Sequence, residues 1–268
     1  MNNKLFYGII ALIIVAALLA FFIFGFNGSK KQDLTAYDDQ PVSPAVLAKL
    51  NVPASVSQSV GIGVATPPMR VNGTPMRING KAVVVYVGAE YCPYCAAQRW
   101  PMVIALMRFG SFSGLRYMTS DPRDVFPSTP TFTFHNSTYT SQYVVFMPVE
   151  TTNNTGARLE TPNQLQNATF NAYDLHNPAI PSSNRGSIPF TDFGNRTIIL
   201  GSSYQPTALN NLNWSQIATE MNDPSTLQAQ SIVGTADLMT AQICTIINNS
   251  DTTVCNQQYV KQIQKSLG

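Results

Sequence analysis

Apolar residues are spread unevenly along this chain. Leu5 to Phe26 holds twenty-two residues without a charge and is apolar all round, long enough to cross a bilayer as one helix. A cleaved signal peptide has a shorter apolar core and a small-residue cleavage site. The flank here is Phe24-Gly25-Phe26-Asn27-Gly28-Ser29, so the pattern predicts a retained anchor over residues 5–26 behind a short tail, 1–4. Residues 27–68 turn polar, with Gly, Ser, Pro and mixed charge, and read as a linker. Within it, Ser43 and Pro44 suit the cap and first position of a short helix ending near Leu50.

From residue 69 to 268 the patterning is that of one folded α/β domain. Val83 to Val87 is a continuous β-branched and aromatic run, the signature of a strand buried on both faces. Gly88 to Tyr91 break it, and Trp100, Val103, Ile104 and Met107 then recur at helical spacing. Leu115 to Thr119 alternates, which predicts a second strand reached by a right-handed parallel crossover. Residues 131–139 and 142–149 read as a hairpin, and residues 151–187 as a polar, Asn- and Pro-rich stretch with one short helix over 165–173. A hairpin over Phe190–Phe193 and Thr197–Leu200 follows, turning at Gly194-Asn195. Helical spacing resumes over 206–268, broken at Asn222-Asp223-Pro224. The predicted whole is a mixed sheet with flanking helices and a large insertion over about 120–187, preceded by one transmembrane helix.

The junction of strand and helix carries the chemistry. Cys92-Pro93-Tyr94-Cys95 sits where a CxxC motif signals thiol–disulfide exchange. Pro93 fits the first helical turn, where its missing N–H costs nothing. Cys92 then lies beside unpaired N–H groups and the positive end of the helix dipole, which favour the thiolate, the attacking species in exchange. This assigns Cys92 as nucleophile and Cys95, one turn on, as the resolving thiol. A zinc site would need two more ligands, but the remaining cysteines, Cys244 and Cys255, have ten residues between them rather than two. That pair flanks the polar loop Asn248–Thr253 and reads as a structural disulfide worth roughly 3 kcal/mol, with a second redox pair as the alternative. His135 and His176 have no neighbours in sequence that indicate a metal site.

GAEYCPYC resembles the active-site turn of the thioredoxin superfamily, and CPYC also occurs in glutaredoxins. The longer set GAEYCPYCAAQRW, RFGSFSG, TPTFTF, SIPFTDFGNR, LNWSQIA and AQIC…VC resembles a family of membrane-anchored, thioredoxin-like proteins of archaea and some bacteria, a domain of unknown function. The resemblance implies a thioredoxin-like fold, with a cis-proline loop laid against the CxxC. Pro189, before the predicted hairpin and helix, suits that role; Pro130 is the rival, with spacing from Cys95 nearer that of a minimal thioredoxin. In such a fold Ile188 offers backbone groups to an extended substrate segment, so Ile188, Pro189 and Tyr94 are the expected substrate-binding residues. One departure stands out. Many thioredoxins carry a buried acid in the strand below the site, where this chain has Val83-Val84-Val85-Tyr86-Val87. Glu90, beside a turn, is expected to be solvated, and Trp100 to pack. Arg99 is left between supporting a thiolate and facing water.

Composition narrows the setting. Only 11% of residues are Asp, Glu, Lys or Arg, against about 25% in ordinary domains. A net charge of +2 without a basic cluster excludes a nucleic-acid partner. Asn-X-Ser/Thr sequons occur at Asn27, Asn72, Asn136, Asn153, Asn167, Asn195, Asn213 and Asn248, eight where roughly four are expected by chance. Together with the paired cysteines they point to an extracytoplasmic, oxidising location, at the cell membrane with the large domain outside. The expected partners are client proteins with cysteines or disulfides, a membrane redox partner, and the bilayer. No cofactor is expected. The leading function is an anchored thiol–disulfide oxidoreductase; the alternative is a glycosylated surface or envelope protein that keeps the fold as a non-catalytic binding module.

Overall fold

The structure is a computed structural model that describes residues 33–267. The predicted span at 5–26 lies outside those residues, and no helix among them is long and apolar enough to cross a membrane. Two short helices come first, α1 (Pro44–Leu50) and α2 (Ala54–Val60), then β1 (Met69–Arg70), β2 (Arg77–Ile78) and the central β3 (Lys81–Gly88). The CxxC motif opens α3 (Pro93–Met107). Strands β4 (Gly110–Ser113), β5 (Arg116–Thr119), β6 (Pro130–Thr133), β7 (Thr138–Ser141) and β8 (Val144–Glu150) follow, then helix α4 (Gln164–Phe170). A hairpin, β9 (Phe190–Phe193) and β10 (Thr197–Leu200), precedes the last helices α5 (Trp214–Glu220), α6 (Gly234–Ile246), α7 (Thr252–Cys255) and α8 (Gln258–Leu267).

The main sheet is mixed. β8 runs parallel to β3 from Ala82 opposite Val144 to Gly88 opposite Glu150. β9 pairs antiparallel with the other edge of β3, and β10 and β1 continue the sheet outward. β2 folds back on the start of β3 through Asn79 and Gly80, both at positive φ, as a two-residue Asn-Gly hairpin turn requires. Alternation along β3 feeds two cores. Val83, Val85 and Val87 pack with Val149, Ile180, Phe190 and Ile198 on one face, while Ala82, Val84 and Tyr86 face α3 and the C-terminal helices on the other. A strand clad on both faces is the reason its sequence reads as an unbroken apolar run.

Three expectations are corrected. The parallel partner of β3 is β8, not the strand at Leu115–Thr119; β5 pairs instead with β6, and β4 with β7, as two small separate ladders. The predicted hairpin of 131–139 with 142–149 therefore does not form. Residues 34–65, expected as tether, are packed: Val42, Val46, Leu50, Val56, Val60 and Ala65 join the main core. The predicted helix there does begin at Pro44, with the Val46 N–H donating to the Ser43 hydroxyl at 3.3 Å.

Helix α3 carries Pro101 in its interior, which leaves the Ala97 carbonyl without its helical donor. The Tyr204 hydroxyl donates to it at 2.7 Å, and the Thr131 hydroxyl to the neighbouring Ala96 carbonyl at 2.7 Å. The helix is thus pinned from two sides despite its proline. A disulfide joins Cys244 of α6 to Cys255 of α7.

Candidate active site

The site forms where β3 ends. Gly88 to Tyr91 turn the chain, with the Glu90 N–H bonded to the Thr152 carbonyl at 2.8 Å and the Cys92 N–H to Ala89 at 3.3 Å. Cys92 is the N-cap of α3: its backbone is extended, and its sulfur accepts the Cys95 N–H at 3.1 Å. Pro93 occupies the first turn. Both thiols are free, with Cys92 5% exposed and Cys95 fully buried. Three things lower the Cys92 thiol from its ordinary range against burial: the hydrogen bond from the Cys95 thiol, then the N–H groups of the first turn, then the charge of Arg99. Burial pushes the Cys95 thiol well up, and a charge on Cys92 adds to this. The two sulfurs are therefore driven in opposite directions, Cys92 toward the thiolate and Cys95 toward the thiol.

Across from Cys92 lies the turn before β9. The Ile188–Pro189 peptide bond is cis, the one such bond among the described residues, and the Ile188 carbonyl is 3.8 Å from the Cys92 sulfur. Pro130 instead begins β6, where its carbonyl accepts the Trp100 indole N–H at 2.9 Å. Tyr94 is half-buried on the rim, its ring edge-on to Phe126 at 5.7 Å. The loop carrying Phe126 leans on the site through the Asp121 N–H, bonded to the Tyr91 carbonyl, and presents Val125 at 75% exposure.

Beneath the cysteines sits a polar layer that the sequence did not announce. Arg99 is fully buried, with Nε and Nη2 on the two oxygens of Glu150 at 2.8 and 2.6 Å and Nη2 also on the Ala89 carbonyl at 2.7 Å. Of the two fates open to Arg99, solvation is ruled out. Glu90 is 3% exposed, not solvated: the Thr133 hydroxyl donates to it at 2.5 Å, while burial pushes its carboxyl up. His135 pairs with Glu160 at 2.7 Å, whose other oxygen accepts the Glu150 N–H at 2.7 Å; His176 is exposed. The available signal was slight: Arg99 stands one helical turn after Cys95, on the same face. Its partner is 51 positions away.

No group of three His, Cys, Asp or Glu side chains suited to a metal occurs among the described residues. A cleft of about 210 Å³ between β1, β10, α6 and α8, lined by Arg70, Asn72 and Arg196, shares no residue with the site. The seven sequon asparagines within the described residues all reach the surface. Asn72, Asn136, Asn167 and Asn248 are exposed; Asn153, Asn195 and Asn213 are half-buried. Asn195 donates to the Thr74 carbonyl, and Asn213 caps α5.

A family described as a domain of unknown function (DUF929) matches residues 67–245, two-thirds of the chain. The chain belongs to that family. The matched stretch runs from just before β1 into α6, so it includes Cys92, Cys95, Arg99, Glu150 and Pro189, and ends one residue after Cys244. No curated protein and no solved structure matches the chain.

Proposed function

We propose that this chain is a thioredoxin-like thiol–disulfide oxidoreductase, anchored by residues 5–26 with its folded domain on the extracytoplasmic side. The observation that carries the proposal is the asymmetric pair at the start of α3: a capping sulfur that accepts an N–H, and a buried sulfur one turn later. The strand order β8-β3-β9-β10, with β3 and β8 parallel and the hairpin antiparallel, supports the fold that the motif implies. The Ile188 carbonyl beside Cys92 supports its expected part in holding an extended client segment. Surface placement of the sequons is compatible with an outward-facing domain.

The chemistry runs as follows. The Cys92 thiolate attacks one sulfur of a client disulfide, and the other client sulfur leaves as a thiolate that takes up a proton. Cys95 loses its proton and attacks the Cys92 sulfur, and the second client thiol is released. The client gains two electrons and the motif closes as a disulfide; with an oxidised motif and a client dithiol, the same steps run backwards. Replacing Cys95 by Ser removes resolution, so Cys95→Ser should trap clients on Cys92 as mixed disulfides visible on a non-reducing gel, and Cys92→Ser should trap none. A motif that neither cycles nor forms adducts would sink the enzyme and leave a binding module.

A further inference from the structure

Resolution demands that a negative charge develop on Cys95, the more deeply buried sulfur, and the apolar run of β3 offers no carboxylate there. Two buried polar atoms nearby lack a hydrogen-bond partner: the Tyr86 hydroxyl and Arg99 Nη1. Both side chains are fully buried. An unpaired buried donor is costly and calls for an explanation. Where Tyr86 aims is clear from Gly88, two residues on along the same face of β3. A Cβ at Gly88 would lie 2.3 Å from Tyr86 Oη, so the phenol runs past Gly88 toward the carboxyl end of the strand, where the CxxC begins. Glycine is required there because any side chain would collide with that hydroxyl. The Arg99 guanidinium stands 6.0 Å from the Tyr86 ring centre, fixed by Glu150 through its other nitrogens.

We propose that Tyr86 and Arg99 together receive the charge that develops on Cys95 during resolution, Tyr86 donating its hydroxyl hydrogen to the sulfur and Arg99 supplying a fixed positive charge. The inference rests on the exchange chemistry proposed above and names the residues that drive its second step. Tyr86 keeps its proton throughout; the Cys95 proton leaves to solvent, and the departing client sulfur takes one up. Burial holds the phenol well above its ordinary range, so it serves as donor and not as base. The charged and titratable groups that act on Cys95 are Cys92 at the N-cap of α3 and Arg99 within it; Tyr86 on β3, Glu90 in the turn and Glu150 on β8 complete the layer through Arg99. Arg99 eases the charge on Cys95, and charges on Cys92 and Cys95 are felt at Tyr86.

A chromogenic aromatic disulfide separates the two steps on the full chain: Cys92 attack releases one coloured thiolate, and Cys95 attack releases a second. Tyr86→Phe removes a hydroxyl that has no partner to orphan, so its thermal midpoint should equal or exceed that of the parent. Its first release should be unchanged and its second slowed roughly fivefold or more at neutral pH, the loss of about one hydrogen bond to a forming anion. The gap should close in alkali, where hydroxide deprotonates Cys95 in both proteins. Fluorotyrosine at position 86, a stronger donor in the same shape, should speed the second release. An unchanged second release in both variants overturns the role of Tyr86, and with it the paired donor and charge proposed here, while leaving the oxidoreductase intact. A parent protein with no second release overturns the exchange chemistry and this inference with it.

Discussion

Arg99 and Glu150 form an ion pair with both side chains at 0% exposure. Desolvating two charges is costly, and removing one partner strands the other. Arg99→Met or Glu150→Leu alone should lower stability by about 3–5 kcal/mol, read from urea unfolding. The double change Arg99→Met with Glu150→Leu should recover most of that. Additive losses would show that the two residues act separately. Little of this layer was legible beforehand beyond the spacing of Arg99 from Cys95, because a single charge in a sequence looks alike whether it meets water or a partner 51 positions away. Cys92 and Cys95 were legible because their chemistry depends on local spacing: a cap, a proline and one helical turn.

Elements whose partners are near in sequence were also legible. The hairpin of β9 and β10 was placed residue for residue, its turn marked by Gly194-Asn195 at positive φ in both positions. The choice of β8 over β5 as neighbour of β3 was not, since several alternating runs compete for one edge and only tertiary packing decides. The tether reading of 34–65 failed for a related reason. α1 and α2 are seven residues each, too short to show a full apolar stripe, yet Leu50 is 1% exposed. Leu50→Ala should therefore cost about 2–5 kcal/mol, as for any buried leucine. A loss under about 0.5 kcal/mol would return this segment to the status of a linker.

Across the whole molecule, the few charges that exist are placed with consequence for pH. Burial pushes the Asp192 carboxyl up to about 7 and Asp237 up to about 6, the latter despite Arg108 at 2.7 Å. Both lie above their unfolded value of 3.8, so the folded chain holds more protons than the unfolded one between pH about 4 and about 7. Their contribution is complete below that window and lost as pH rises through it. Stability should fall by on the order of 2 kcal/mol from mildly acidic to mildly alkaline buffer, measured as the urea midpoint across a pH series; a rise over the same interval would contradict the assignment. The neighbours of β3 have a further consequence, in the order of synthesis. One flank is closed by residues 144–150 and the other by residues 190–193, so the strand that leads into the cysteine pair waits about sixty later residues for its first edge to be covered and about a hundred for its second. A nascent chain cut short before Phe193 holds both cysteines but an open, sticky ribbon behind them. The motif is thus made early, while the sheet that supports it is completed late.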